Sequence, residues 1–289
     1  MKWTTTFVCP FIILIWMLTV FACTPRQQSA VMERADSLMN TRPDSALTLL
    51  NTLLPDTTRM SKGDLMRFHL LRTNAENKCD TVLTARHAAL MRRVCDYYDR
   101  KSPSPFGEGS GGRLSNSRML AHYLLGRCYS DMGEAPAALQ EFHNAADVAD
   151  TTNLNCSYNT LGKVFSQSAN LLLGQEAPLD ALDEMKKVEK VALRTSDTFL
   201  FLVNRERMAV AYEMLGTPDT AISIRKSVAK VFEDMDMKAD AAIALAPAID
   251  NAIDLGELEM AGDFIKAYEL NSGLYHNGVV TKGQEIYDL

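Results

Sequence analysis

Residues 125–146, LGRCYSDMGEAPAALQEFHNAA, decide the fold, because they place one glycine between two stretches of helical periodicity. Gly126 and Ala138 leave room for two helices to approach closely, and Tyr129 and Phe142 fill the space around that contact. Gly133 can adopt the left-handed conformation that ends the first helix. The stretch therefore predicts a hairpin of two antiparallel helices.

Similar hairpins recur along the chain, at intervals of 41, 42 and 40 residues. The predicted turns share a glycine and lie at Gly133, Gly174, Gly216 and Gly256. The alanine that follows three of these glycines after five residues follows Gly174 after seven, as Ala181, so we expect a longer turn there. No window of five or more residues alternates like a strand. We predict an all-α fold without strands: an α-solenoid of hairpins over 31–271, wound as a right-handed superhelix.

The quoted stretch resembles the tetratricopeptide repeat. The residue types of that family's consensus are found at its spacing, at Leu125, Gly126, Tyr129, Gly133, Ala138, Phe142 and Ala145. Residues 33–47 are similar to the first hairpin of tetratricopeptide-repeat lipoproteins and sensor ectodomains of Bacteroidetes. The resemblance implies a non-enzymatic scaffold for protein–protein interaction. The alternative it leaves open is the ectodomain of a truncated envelope signalling protein.

The N-terminus is typical of a secretory signal, with Lys2 before a short apolar run. Val20, Ala22 and Cys23 resemble the bacterial lipobox, which implies a signal peptide over 1–22, a lipid anchor on Cys23 and a tether over 23–30. An uncleaved anchor helix or an ordinary signal peptide is the alternative. In the lipoproteins that this N-terminus resembles, an acidic cluster after the cysteine marks export to the cell surface, and residues 24–29 contain no acidic residue. The resemblance therefore implies a bacterial envelope protein on the periplasmic side of the outer membrane.

Composition and motifs favour binding over catalysis. The net charge of −6 argues against a nucleic-acid partner. The five histidines lack the spacing of a zinc-protease helix, and no nucleophile elbow or phosphate-binding loop occurs, so we predict no catalytic, metal or cofactor site. An enzyme of unfamiliar type is a third hypothesis. One disulfide is compatible with the spacing of Cys79, Cys95, Cys128 and Cys156, but that spacing cannot identify it.

Two segments interrupt the hairpin pattern. Residues 101–116 are rich in serine, proline and glycine, which predicts a flexible inserted loop. Residues 272–289 are too short for another hairpin, so we expect an incomplete C-terminal repeat in which a helix begins near Thr281.

The best candidates for peptide binding lie on the first helix of two neighbouring hairpins, because that helix lines the concave face of a solenoid. They are Tyr123, Arg127 and Asp131 in one hairpin and Asn159, Lys163 and Gln167 in the next. Such a polar, partly basic strip could hold an extended peptide or its C-terminal carboxylate. The partner expected is therefore an unidentified protein or peptide, with the membrane reached through the lipid anchor.

Overall fold

A computed structural model describes residues 25–101, 110–273, 275–276 and 279–280. The predicted signal peptide, the anchor at Cys23 and the helix expected from Thr281 onward lie outside the described residues. The chain divides into two compact units, residues 1–156 and 157–289. We describe each unit by itself.

The first unit consists of helices joined as consecutive hairpins. Six α-helices and one short 3-10 helix are described in it, with the bounds α1 Pro25–Leu38, α2 Pro43–Asn51, 3-10 helix Leu54–Arg59, α3 Lys62–Lys78, α4 Ala85–Asp99, α5 Ser110–Asp131 and α6 Ala135–Asp147. One of its buried cores joins α1, α2 and α3 around the ring of Phe68.

The second unit continues the hairpin pattern and ends in a two-stranded ribbon. Its described elements are α7 Tyr158–Gly174, α8 Pro178–Thr195, α9 Thr198–Met214, α10 Pro218–Asp234, α11 Lys238–Asp254, α12 Leu258–Ser272, β1 Tyr275–His276 and β2 Val279–Val280. Alanines recur in its core, which runs from Ala169 to Phe264. The all-α solenoid class is confirmed, whereas a superhelix over the whole chain stays a prediction.

The hairpin closest to the tetratricopeptide pattern packs as its sequence predicts. A methyl group added at Gly126 would lie 2.6 Å from the ring of Phe142 and 3.2 Å from the carbonyl oxygen of Ala138. Ala138 and Phe142 are both fully buried. The close approach of α5 and α6 therefore depends on the missing side chain at position 126.

Seven connections of the described residues end the preceding helix in the same way. A residue with positive φ is followed by one whose N–H donates to a carbonyl oxygen five residues earlier, at 2.8–3.1 Å, which is the Schellman motif. The residues with positive φ are Asp80, Gly133, Glu176, Ser196, Gly216, Asp236 and Gly256. The prediction of a turn at Gly174 is wrong, because Gly174 is the last residue of α7 and Glu176 takes the left-handed position.

The left-handed residues give the second unit a regular period. From Glu176 to Gly256 they recur every 20 residues, and the helices between them contain 17 or 18 residues. Two helices therefore make a repeat of about 40 residues, longer than the ~34 residues of the tetratricopeptide consensus. Counted from Glu176, Ala181 lies five residues on, as in the other hairpins.

Two predicted boundaries are corrected. The predicted tether is helical from Pro25, because proline fits the first turn of a helix and glutamines follow it. The predicted loop over 101–116 is shorter, because α5 already begins at Ser110. Its early turns are fixed from outside: Ser115 donates to the carbonyl oxygen of Val148 at 2.6 Å, and Asn116 to that of Asn155 at 2.7 Å.

The expectation of no strand is wrong at the C-terminus. Tyr275 pairs with Val280 and His276 with Val279 in an antiparallel ribbon. In sequence, Asn277-Gly278 separates the two strands, which is the pair that favours a two-residue hairpin. Each strand has two residues, too few for a five-residue window to detect.

The four cysteines of the described residues, Cys79, Cys95, Cys128 and Cys156, are free thiols. Burial raises the pKa of Cys128 to about 12.

Among the helices of the described residues, none combines the length and the apolar character needed to cross a membrane.

Candidate functional site

The predicted peptide-binding residues of α5 are used inside the first unit. Tyr123 is 5% exposed, its ring centroid lies 6.0 Å from that of Phe142, and burial raises its pKa. An ion pair of 2.9 Å joins Nη2 of Arg127 to Oδ1 of Asp131, and Oδ2 of Asp131 accepts the backbone N–H of Leu83 at 2.9 Å. These side chains therefore brace the segment between α3 and α4, which does not support peptide binding at them.

The predicted residues of α7 are at least partly exposed. Asn159, Lys163 and Gln167 recur every four residues and so share one face of the helix. Asn159 is exposed, and the other two are half-buried. Since α5 and α7 belong to different units, each triplet is described by itself. Binding at the α7 triplet stays a prediction.

The neighbouring hairpin carries an exposed apolar face that sequence reasoning missed. Phe199, Val203, Val210 and Met214 lie along α9 with Arg207 between them, at intervals of three or four residues. Phe199 is 53% exposed, Met214 41% and Val210 39%. We call these five residues the α9 stripe, which is about 22 Å long at 1.5 Å per residue.

A signal for the α9 stripe was present in the sequence. The 40-residue period leads from Asn159, Lys163 and Gln167 directly to Phe199, Val203 and Arg207. A turn placed at Gly174 instead of Glu176 gives an interval of 42 residues, which hides this correspondence.

Helix α9 lies between α7 and α11. A methyl group added at Gly162 of α7 would lie 3.3 Å from Leu200 of α9. On the other side, the amide of Asn251 on α11 donates to the carboxylate of Glu213 on α9. Two exposed residues of α11, Ile243 and Asp250, lie 40 residues after Val203 and Val210 of the stripe. Ile243, which is 70% exposed, therefore occupies on α11 the position that Val203 has on α9, and Asp250 occupies the position of Val210.

Arg207 lies inside this face, and no described residue supplies a counter-charge to it. Its guanidinium is half-buried and has neither a hydrogen bond nor an ion pair with any described residue. Burial alone lowers its pKa. Two residues earlier, Nη1 of Arg205 lies 3.4 Å from Oε1 of Glu189, so the two arginines of α9 differ in pairing.

A buried charge network lies beside the stripe. Arg225 of α10 is 2% exposed, and its guanidinium forms a bidentate pair with Glu213 and approaches Oε2 of Glu206 at 3.5 Å. Burial raises the pKa of Glu206 to about 7 against the opposing effect of Arg225. Burial also acts to raise the pKa of Glu213, but hydrogen bonds from Arg225 and Asn251 lower it overall. The network fixes α9 against α10 and α11.

An open depression of about 400 Å³ between α9 and α10 is lined by Arg205, Tyr212, Asp219, Thr220, Ser223 and Ile224. Within the described part of the chain, no three His, Cys, Asp or Glu side chains are placed to hold a metal ion. An exposed apolar face such as that of α9 is typical of an interaction surface.

Comparison with known proteins adds structural similarity alone. No family model and no curated protein matches the chain. It is similar to a signal-transduction ATPase with a tetratricopeptide repeat sensor from Pyrococcus horikoshii, with a TM-score of 0.63 and 13% identity over 83% of this chain and 35% of that one.

Two further solved structures are similar to this chain over most of its length and most of their own. BtubC from P. vanneervenii has a TM-score of 0.60 and 10% identity, over 84% of this chain and 97% of that one. A kinesin light chain with tetratricopeptide-like repeats from Podosopora anserina has a TM-score of 0.53 and 14% identity, over 73% and 98%. At these identities the similarity shows the fold: a tetratricopeptide-like α-solenoid.

Proposed function

We propose that the chain is a non-enzymatic scaffold for protein–protein interaction, and that the α9 stripe is its binding face. The exposed apolar side chains of α9 are the observation that supports this proposal. An apolar surface of this kind, bounded by polar residues, is typical of interaction sites in soluble proteins. The backbone N–H and C=O groups of α9 are hydrogen-bonded within the helix, so a partner would contact its side chains, as in other helical grooves.

We further propose that the scaffold is tethered to the bacterial cell envelope through acylated Cys23, on the periplasmic side of the outer membrane. The similarity of residues 20–23 to a lipobox supports this part. Replacement by serine removes the thiol that would be acylated, so Cys23→Ser should move the protein from the membrane fraction to the soluble fraction. A soluble wild type, or a variant that stays with the membrane, contradicts the anchor.

Photo-crosslinking in the native cell tests the binding face. A benzophenone amino acid at Val210 should give discrete adducts, because that side chain lies in the stripe. The same amino acid at Leu193 of α8, which is 70% exposed outside the stripe, is the matched control. Adducts of equal yield and identity at both positions would contradict a binding face on α9.

A further inference from the structure

We infer that Arg207 makes the α9 stripe selective for a partner segment in which one carboxylate side chain is flanked by apolar side chains. This inference rests on the proposed function and names the chemistry of the partner. It follows from two observations: the guanidinium of Arg207 is half-buried and pairs with no acid of the described residues, and apolar side chains lie on both sides of it.

The other arginines of the second unit have partners. Arg225 pairs with Glu213 and Arg205 with Glu189, and the guanidinium of Arg194 lies 4.6 Å from the ring centroid of Tyr158. Arg207 loses hydration without such compensation among the described residues. A carboxylate from a partner would supply it through a charge-assisted, bidentate pair.

The surroundings of Arg207 favour a single carboxylate over a polyanion. Val203 and Val210 lie one turn away on either side of it. The exposed Asp250 and Asp254 are placed along the neighbouring helix α11. A nucleic acid would bring a row of phosphates onto apolar side chains and towards these acids, which is unfavourable. An isolated acid between apolar residues matches both the charge and the apolar area.

The spacing of the stripe specifies the segment further. Val203 is about 6 Å from Arg207 along the axis of α9, and Val210 is about 4.5 Å away on the other side. In an extended peptide, residues two apart project to the same side at about 6.7 Å. The favoured segment is therefore apolar–x–Asp/Glu–x–apolar, with the acid opposite Arg207.

Selection from a random dodecapeptide display library on the purified full chain tests the inference. The wild type should enrich peptides with that pattern. Arg207→Gln should weaken the best selected peptide about tenfold, the effect of losing about 1.4 kcal/mol of a charge-assisted contact. Arg207→Glu should change the enriched central residue to Lys or Arg. Arg205→Gln, two residues away on the same helix, should leave both the pattern and the affinity unchanged.

The outcomes separate this inference from the proposed function. Apolar peptides that need no acid, but lose affinity with Val210→Lys, would retain the binding face and overturn the selectivity. An equal loss with Arg205→Gln and Arg207→Gln would also overturn it. Peptides whose affinity is unaffected by Val210→Lys, or failure to select any peptide, would contradict the binding face itself. Unchanged circular dichroism of each variant ensures that the fold is retained.

Discussion

Helices α5 and α9 use equivalent positions in opposite ways. Counted back from the left-handed residue of the next turn, Arg127 and Asp131 of α5 correspond to Val210 and Met214 of α9. In α5 the two positions hold an ion pair that braces a neighbouring segment, whereas in α9 they expose apolar side chains. The same backbone position can therefore stabilise the fold in one hairpin and remain available for a partner in another.

The largest expected effect tests the register on which this comparison depends. Ala138→Leu should lower the free energy of unfolding by up to about 3 kcal/mol, because Ala138 is fully buried beneath Gly126. Thermal unfolding followed by circular dichroism measures the change. Ala137→Leu, at a half-buried neighbouring position, is the control. An unchanged melting temperature for Ala138→Leu would show that α5 and α6 pack in another register.

The second prediction tests whether the polar residues of α5 stabilise the fold. Asp131→Ala should lower the free energy of unfolding by about 2 kcal/mol, because it removes the carboxylate that pairs with Nη2 of Arg127 and leaves the backbone N–H of Leu83 without its acceptor. Met214→Ala at the equivalent position of α9 is the matched control. Urea unfolding of both variants measures the difference. Equal losses in the free energy of unfolding would contradict the claim that this position stabilises the fold in α5 but not in α9.

The third prediction concerns the pH dependence of the second unit. Because the pKa of Glu206 is raised to about 7 from an ordinary value of 4.5, the folded state binds more protons than the unfolded state between these pH values. This group should therefore lower the free energy of unfolding as pH rises from about 4.5 to 7, by on the order of 1–2 kcal/mol for a partly exposed side chain.

Glu206→Gln provides the comparison, since it removes the titrating group. The difference in stability between wild type and variant should grow across that pH range and level off above it. The lowered pKa of Glu213 acts in the opposite direction, but only below about pH 4.5. A difference independent of pH would show that Glu206 titrates as an ordinary glutamate.

The smallest expected effect concerns Arg207. Arg207→Gln should change the free energy of unfolding by less than about 0.5 kcal/mol, because no described residue loses a partner. Arg225→Gln, which breaks a buried pair, should cost several times more. A strong destabilisation by Arg207→Gln would mean that its guanidinium serves the fold, which would remove the reason to expect a partner there.

The sequence predicted the fold more completely than the site. The close approach of α5 and α6 could be predicted from Gly126 and Ala138, because only small residues allow two helices to lie so near each other. The left-handed conformation of Glu176 could not be predicted, because a glutamate rarely adopts it. Burial of Tyr123 likewise depends on contacts with Asn77 and Phe142 that lie far away in sequence.

The 20-residue spacing of left-handed residues has a consequence for how the second unit can change in length. Turns within hairpins and turns between them share one geometry, so each helix with its connection is an interchangeable module. Removing one module reverses the direction of every later helix and exchanges inner with outer faces. Removing two modules, residues 198–237, joins equivalent positions of two turns and keeps the direction of every later helix. The same deletion removes α9 and its stripe. Binding could thus be lost or duplicated in whole hairpins without redesign of a single turn.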